Sequence, residues 1–148
     1  MKNKYNIFII LLLLPLLSLA QPNIDSIFVG DHYLSLQWIS WDYYGISTIS
    51  NADKDGLYKI EGKQKSTVND DYLKISGTLK PVNSRHLIFT GTIETCINFI
   101  NNGNACVREG EFNFMVHGKR QYWRLQENLN PCDTVGVADY VDIFIAVK

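Results

Sequence analysis

The sequence of 148 residues lacks three features that would assign it to a common structural class. After the first twenty residues no segment repeats apolar residues with the helical period, which argues against a helical fold. No low-complexity tract, internal repeat or linker interrupts the chain, so a single domain is expected. Basic residues are not in excess, because 14 Lys and Arg stand against 15 Asp and Glu. A nucleic acid or an anionic membrane would need a concentrated positive field, so neither is an expected partner.

The one long apolar run lies at the N terminus, at Ile7–Leu17. Lys2 and Lys4 precede it, and the small residues Ser18-Leu19-Ala20 follow it. This pattern is typical of a secretory signal peptide cleaved near Ala20, and the run is too short for a membrane anchor. The residue directly after the predicted cleavage site is Gln21 and not cysteine, so a lipoprotein anchor is not expected.

We therefore expect residues 1–20 to be removed and residues 21–148 to form one exported domain, periplasmic or secreted. Loss of the two N-terminal lysines brings the net charge from −1 to about −3.

Strand patterns fill the rest of the chain. Some segments alternate apolar and polar residues, and others are rich in aromatic and β-branched residues. Together they predict about eight strands, at 33–41, 45–50, 56–65, 71–80, three within 87–126, and 140–147.

Two turn sequences set the register of the three strands within 87–126. Asn102-Gly103 and Gly118-Lys119 are typical of tight hairpin turns. Pairings centred on them place every apolar side chain on one face of the sheet. We expect Ile93, Phe112, Phe114, Trp123 and Leu125 to be buried together, and Glu94, Glu111 and Arg124 to be exposed.

Short turns between about eight strands favour an all-β fold, a single antiparallel up-and-down barrel, which leaves no exposed edge. A β-sandwich is the alternative, and only residues 128–139 are long enough for its crossing connection. The outward face carries polar residues such as Lys74, Glu109 and Asn113, so the barrel is expected to be soluble rather than embedded in a membrane.

Three inward positions are glycine: Gly62, Gly77 and Gly91. They leave volume inside the barrel either for the neighbouring aromatic rings or for a small apolar ligand. The candidate ligand-binding residues of the interior are Phe89, Gly91, Phe112, Phe114 and Trp123. A core filled by these rings is the alternative.

The three cysteines of an exported chain suggest one disulfide and one free thiol. In the predicted register Cys106 faces inward, whereas Cys96 faces outward opposite Glu109. We therefore expect a Cys106–Cys132 disulfide, with three reduced cysteines as the alternative. Cys96 as a catalytic nucleophile would need a neighbouring histidine, and the strands assign none to it.

Residues 51–56 copy the first half of a calcium loop, with Asn51, Asp53 and Asp55 at its first, third and fifth positions. The twelfth position is Gly62, where the loop needs a bidentate acid. A polar hairpin turn is therefore preferred, and neither a metal nor a cofactor is predicted.

No other grouping predicts a catalytic site. The histidines at 32, 86 and 117 stand in separate segments without the spacing of zinc ligands. Glu94 and Glu111 face each other on the outward face near Arg124, where solvent keeps both carboxylates ionised, so they do not form a hydrolase pair.

Several segments become recognisable together: residues 36–42, 100–103 and 118–126, and Asp139-Tyr140-Val141-Asp142-Ile143. They resemble a group of small uncharacterised exported proteins of the Bacteroidetes, across most of the chain after residue 20. The resemblance implies no activity. The barrel pattern is also lipocalin-like, although Leu36-Gln37 precedes Trp38 where lipocalins have Gly-x-Trp.

The sequence thus predicts an exported binding module for a small apolar ligand or for a protein or glycan partner. One alternative is a hydrolase whose site is assembled from separate strands. Another is a surface interaction or inhibitor protein that uses the exposed aromatic residues Trp41, Tyr43 and Tyr44. An open interior favours the ligand, and a filled one favours recognition at the surface.

Overall fold

The computed structural model describes residues 25–145, so the predicted signal peptide at 1–20 lies outside the described residues. A four-residue helix, α1, is followed by eight strands. Their bounds are α1 Asp25–Phe28, β1 Gly30–Leu36, β2 Gly45–Ala52, β3 Tyr58–Lys65, β4 Tyr72–Asn83, β5 His86–Cys96, β6 Cys106–Met115, β7 Tyr122–Leu125 and β8 Val141–Phe144. The sequence did not predict α1, and β1 ends earlier than expected because residues 37–39 form a turn.

Each strand pairs with the next in antiparallel orientation, and β8 returns to pair with β1. The sheet is therefore a closed up-and-down barrel, which confirms the predicted fold and excludes the sandwich. Within residues 25–145, no helix is long and apolar enough to cross a membrane.

One apolar core fills the inside of the barrel. The five side chains expected to be buried together lie in it, each at most 9% exposed. The α1 residue Phe28 closes one end, where its ring stacks on Trp123 at 5.5 Å between centroids. His32 fixes this closure, since its ring nitrogens lie 2.8 Å from the carbonyl oxygen of Phe28 and 2.7 Å from that of Phe144.

The predicted register is wrong, although the predicted faces are right. Phe89 lies opposite Phe112, four residues away from the expected pairing of β5 and β6. The cause is the β5–β6 connection, residues 97–105, which contains a 3₁₀ turn at Asn101–Gly103 rather than a two-residue hairpin. The β6–β7 pairing is displaced by two residues, with Phe114 opposite Leu125. Even displacements keep every side chain on its face of the sheet.

The displaced register separates the predicted pair of glutamates. Glu94 lies opposite Val107 and Glu111 opposite Thr90. Only Glu111 is fully exposed, whereas Glu94 and Arg124 are half-buried against other side chains. Cys96 lies beside Tyr72 of β4 and is a free thiol, as expected.

The inward glycines allow β4 and β5 to approach each other under an aromatic ring. Gly77 lies directly opposite Gly91. A Cβ atom on Gly77 would be 2.3 Å from the carbonyl oxygen of Thr90 and 2.7 Å from the ring of Phe89. The volume beside Gly77 and Gly91 is therefore occupied by Phe89, whereas Ser47 and Ile75 lie against Gly62.

The barrel closes through an incomplete strand pair. β7 pairs with β6 at only two positions, Phe114 and Met115. Beyond them the chain continues along β6 without a regular ladder, and the Glu127 carboxylate accepts hydrogen bonds from the backbone and side-chain nitrogens of Asn113 at 2.9 and 2.8 Å. Farther along, Cys132 forms the predicted disulfide with Cys106, the first residue of β6. The β7–β8 connection, residues 126–140, thus covers the edge of β6.

A buried ion pair holds the same connection. Arg108 points inward from β6, where a guanidinium nitrogen lies 3.3 Å from Asp139 and another donates to the Glu127 carbonyl oxygen at 3.2 Å. Asp139 also accepts hydrogen bonds from Trp38 and Asn130. Burial is the main influence on both charges, since it raises the pKa of Asp139 and lowers the pKa of Arg108. Loss of either partner would leave a buried charge without compensation.

Truncation of the central aromatic residue tests the assignment of the core. Phe114→Ala should lower the free energy of unfolding by about 3–5 kcal/mol, because it leaves a cavity between closely packed rings. Denaturant unfolding measures this loss, with the exposed Val82→Ala as the control. A loss below about 1 kcal/mol would contradict the burial of Phe114.

Removal of the disulfide tests the clamp on the β7–β8 connection. The double variant Cys106→Ala/Cys132→Ala should lose about 3 kcal/mol of stability, because the bridge closes a loop with a sequence separation of 26. Urea unfolding is the measurement, and Cys96→Ala is the control for loss of a thiol alone. Equal stabilities for the two variants would show that the bridge contributes nothing.

Candidate functional site

The two ends of the barrel differ in their exposed residues. In an up-and-down barrel successive connections alternate between the ends, so 37–44, 66–71, 97–105 and 126–140 share one end, here called the aromatic end. The connections 53–57, 84–85 and 116–121 share the other, called the polar end. Connections of the aromatic end expose eight large hydrophobic side chains, Trp41, Tyr43, Tyr44, Val68, Phe99, Leu129, Val135 and Tyr140. Those of the polar end expose none among the described residues.

The β1–β2 connection, residues 37–44, is held at both of its ends. Gln37 donates to the carbonyl oxygen of Ala138 at 2.6 Å and accepts from the backbone nitrogen of Tyr140 at 2.7 Å. The buried Gln64 of β3 accepts from the backbone nitrogen of Leu36 at 2.7 Å and donates to the carbonyl oxygen of Tyr43 at 2.8 Å. The side chains of two glutamines thus take the place of backbone hydrogen-bond partners, and these bonds hold the segment that carries Trp41 and Tyr43.

A groove of about 460 Å³ opens between this connection and the end of the β7–β8 connection. Its lining residues are Gln37, Trp38, Trp41, Val137, Ala138 and Tyr140. The indole nitrogen of Trp38 donates to Asp139 at 3.2 Å, which fixes the ring at the base of the groove. Trp41 remains 61% exposed and Tyr140 36% exposed. We call this feature the aromatic groove; its lining contains no carboxylate, histidine or cysteine.

A smaller depression of about 130 Å³ lies beside the aromatic groove. It is lined by Phe99, Asn101, Asn102, Cys132, Asp133 and Thr134. Two contacts join the two features: the rings of Trp38 and Phe99 meet edge-on at 5.7 Å, and Asp133 accepts a hydrogen bond from the backbone of Val137 at 3.4 Å. We call it the acidic depression after Asp133, its one charged residue.

Outside the barrel wall, a charged pair supports the rings next to the groove. Arg124 binds Asp142 through two hydrogen bonds of 2.7 Å, and its guanidinium lies 4.4 Å from the Tyr140 ring and 5.0 Å from the Tyr122 ring. The hydrogen bond to Asp142 raises the pKa of Arg124, whereas burial raises the pKa of Asp142. Cation–π contact therefore holds Tyr140 in place.

Tyr44 is held by contacts with other aromatic rings on the wall. Its ring lies 4.9 Å from Phe144 and 5.4 Å from Tyr33. Trp41, Tyr43 and Tyr44, which the sequence marks as candidate surface residues, are all exposed.

The residues predicted for an interior site do come together. Phe89 packs against Phe112 and Phe114 at 6.1 and 6.0 Å, and Trp123 donates its indole hydrogen to the carbonyl oxygen of Ser84 at 3.0 Å. Gly91 lies under the ring of Phe89. The three phenylalanine rings thus pack on one another, and an interior ligand site stays a prediction.

In residues 51–56, the segment that resembles a calcium loop, the Asp53 carboxylate binds the backbone of the hairpin itself. One carboxylate oxygen of Asp53 accepts hydrogen bonds from the backbone nitrogens of Asp55 and Leu57, each at 2.9 Å. Asp55 is exposed on the same turn, and Asn51 is exposed near the end of β2. This is the arrangement of a polar hairpin turn that stabilises its own backbone.

An acid of the outer wall is paired in a way that does not suit acid catalysis. The hydroxyl of Tyr72 donates to Glu94, and Lys74 lies 3.2 Å from the same oxygen. The hydrogen bond from Tyr72 lowers the pKa of Glu94 and raises the pKa of Tyr72 to about 12. A general acid of a glycosidase needs the opposite shift.

Comparison with known proteins identifies a family but no related solved structure. The model of the PM1083 family matches residues 20–145. A protein of Pasteurella multocida (strain Pm70), named Uncharacterized protein PM1083, is 41% identical over 121 residues, which cover 82% of this chain and 75% of the relative. No solved structure matches.

Removal of the turn acid separates the two interpretations of residues 51–56. Asp53→Ala should lower the free energy of unfolding by about 1 kcal/mol with or without calcium, because the loss is that of two backbone hydrogen bonds. Thermal unfolding in EDTA and in calcium chloride is the measurement, with Asp55→Ala as the neighbouring control. A calcium-dependent stabilisation that Asp53→Ala abolishes would instead establish a calcium site.

Proposed function

This chain belongs to the PM1083 family, and we propose that it is a binding module that recognises another protein at its aromatic end. The observation that carries the proposal is the exposure of tryptophan and tyrosine on a connection held by Gln37 and Gln64. Aromatic side chains dominate the binding energy of protein interfaces. A surface that is rigid before binding loses little conformational entropy when a partner docks.

The concentration of apolar surface at one end supports the same proposal. Eight large hydrophobic side chains are exposed on its connections, and such a concentration of exposed apolar surface favours an interaction site. Single hydrophobic residues scattered over the surface would not indicate such a site, because they are common on folded proteins.

The interior ligand site predicted at Phe89, Gly91, Phe112, Phe114 and Trp123 is the less favoured form of binding. The rings there pack on one another rather than around a space. A hydrolase is less favoured again, because the aromatic groove is lined by no acid, histidine or cysteine. An inhibitor protein would use the same exposed residues as the binding module.

The proposal also includes export of the protein from the cytoplasm. A disulfide is typical of oxidising compartments, which agrees with cleavage near Ala20 and with a periplasmic or secreted domain of residues 21–148.

Capture from the exported fraction of the native cells tests the proposal. The wild-type protein should retain a protein that Trp41→Ala/Tyr43→Ala retains at least about tenfold less, because loss of interface aromatics costs 2 kcal/mol or more. Val82→Ala, on the outer wall, is the control and should retain the same protein.

Native mass spectrometry of the purified protein tests the alternative of a ligand inside the barrel. An apolar molecule bound to the wild-type protein, together with capture that does not depend on Trp41 and Tyr43, would overturn the proposal in favour of an interior ligand.

A further inference from the structure

Building on the proposed function, we infer that the protein partner docks through an extended cationic segment. One apolar side chain of that segment enters the aromatic groove, and a neighbouring lysine or arginine reaches the acidic depression at Asp133. The site is thus bipartite, and the chemistry of the partner is that of a basic peptide.

The first argument is the position of the two features. Trp38 lines the aromatic groove and Phe99 lines the acidic depression, and their ring centroids are 5.7 Å apart, so the two features adjoin at this contact. Consecutive side chains on one face of an extended peptide are about 7 Å apart, so two of them can reach the two features together.

The second argument is the state of the Asp133 carboxylate. One of its oxygens accepts hydrogen bonds from the backbone nitrogens of Val135 and Val137 at 3.0 and 3.4 Å. The other oxygen has no hydrogen-bond partner among the described residues. No lysine or arginine lies within 4 Å of this carboxylate in the described chain, so it can accept a charged donor from outside.

The third argument is the charge of the two ends. Four acids of the aromatic-end connections reach the surface, at 42, 70, 127 and 133, and these connections contain no Lys or Arg. Asp70 is the one acid near a lysine, at 3.9 Å from Lys65. The polar-end connections carry four basic residues, Lys54, Arg85, Lys119 and Arg120, against two acids, Asp53 and Asp55. This separation of charge attracts a cationic partner to the aromatic end and repels an acidic one.

The aromatic groove itself suits the same partner. Trp41 is exposed in the groove and precedes the exposed Asp42 in the chain, and an ammonium or guanidinium of the partner gains from contact with an aromatic ring. A neutral glycan could use the rings and donate hydrogen bonds to the acids, but it would gain no charge–charge attraction from them.

Fluorescence anisotropy with defined peptides tests the inference. The probes are fluorescein-labelled hexapeptides of sequence Gly-Phe-Ser-Arg-Ser-Gly, in which the Phe and Arg side chains lie on one face of the extended chain, and the same peptide with glutamine or with glutamate in place of arginine. The arginine peptide should bind to the wild-type protein, the glutamine peptide about tenfold more weakly, and the glutamate peptide not detectably. Binding of the arginine peptide should weaken as salt increases, because exposed charges are screened.

Variants of the protein locate the binding. Asp133→Asn keeps an oxygen for the backbone hydrogen bonds and removes the charge, so it should weaken only the arginine peptide, by about fivefold. Trp41→Ala should weaken the arginine and glutamine peptides alike, by about tenfold. Glu111→Gln, on the outer wall, is the matched control for loss of a carboxylate and should change neither affinity.

The outcomes separate the two proposals. Equal binding of all three peptides, lost in Trp41→Ala but not in Asp133→Asn, would overturn the cationic segment and leave the aromatic recognition surface intact. Binding of the arginine peptide that neither variant weakens would overturn both. Absence of peptide binding at about 1 mM, together with binding of a neutral oligosaccharide such as chitotetraose, would replace the basic peptide with a glycan.

Discussion

The buried ion pair between Arg108 and Asp139 is the contact on which the rest of this structure depends. It joins β6 to the β7–β8 connection at the place where the barrel has no regular strand pair. The disulfide from Cys106 to Cys132 and the bonds of Glu127 to Asn113 hold the same connection along the same strand. Since an uncompensated buried charge costs several kcal/mol, this ion pair allows little movement of the connection once the barrel has formed.

The closure of the barrel also builds the candidate site. Asp139 accepts the indole hydrogen of Trp38, and the residues on either side of it, Ala138 and Tyr140, are the partners of Gln37. The β1–β2 connection is therefore fixed by the element that covers the edge of β6. The aromatic groove lies between these two connections, so its shape follows from the closure of the sheet and needs no ligand to form it. This is the physical basis for treating the exposed rings as a preorganised surface.

The faces of the strands could be predicted from the sequence, but their register could not. Alternation decides only whether a residue faces inward or outward. An error of two or four residues in the strand pairing therefore left Phe112, Phe114 and Cys106 correctly assigned to the inward face. The register depends on the length of the connection between β5 and β6, and Asn102-Gly103 lies within a 3₁₀ turn there. A local turn signal cannot distinguish this from a two-residue hairpin.

The site itself was predicted only in part, because its supports are contacts between distant segments. Trp41, Tyr43 and Tyr44 were correctly marked as surface residues, yet nothing near them in the sequence indicates Gln64 or Asp139 as their supports. One signal was present: Gln64 and Arg108 are polar residues at positions that the alternation assigns to the inward face. Both bind a connection at the aromatic end of the barrel. An inward polar residue near the end of a strand can thus indicate that a connection folds over that end.

The central claim is that the β1–β2 connection is rigid without a partner because the closure of the barrel holds it. Hydrogen exchange of the free protein, read by mass spectrometry over residues 37–44, tests this directly. The account predicts protection comparable to that of the strand ends in the wild-type protein, and at least about tenfold faster exchange in Gln37→Ala, while the turn at residues 53–57 is unaffected. Exchange of residues 37–44 in the wild-type protein at the rate of an unfolded peptide would contradict the account.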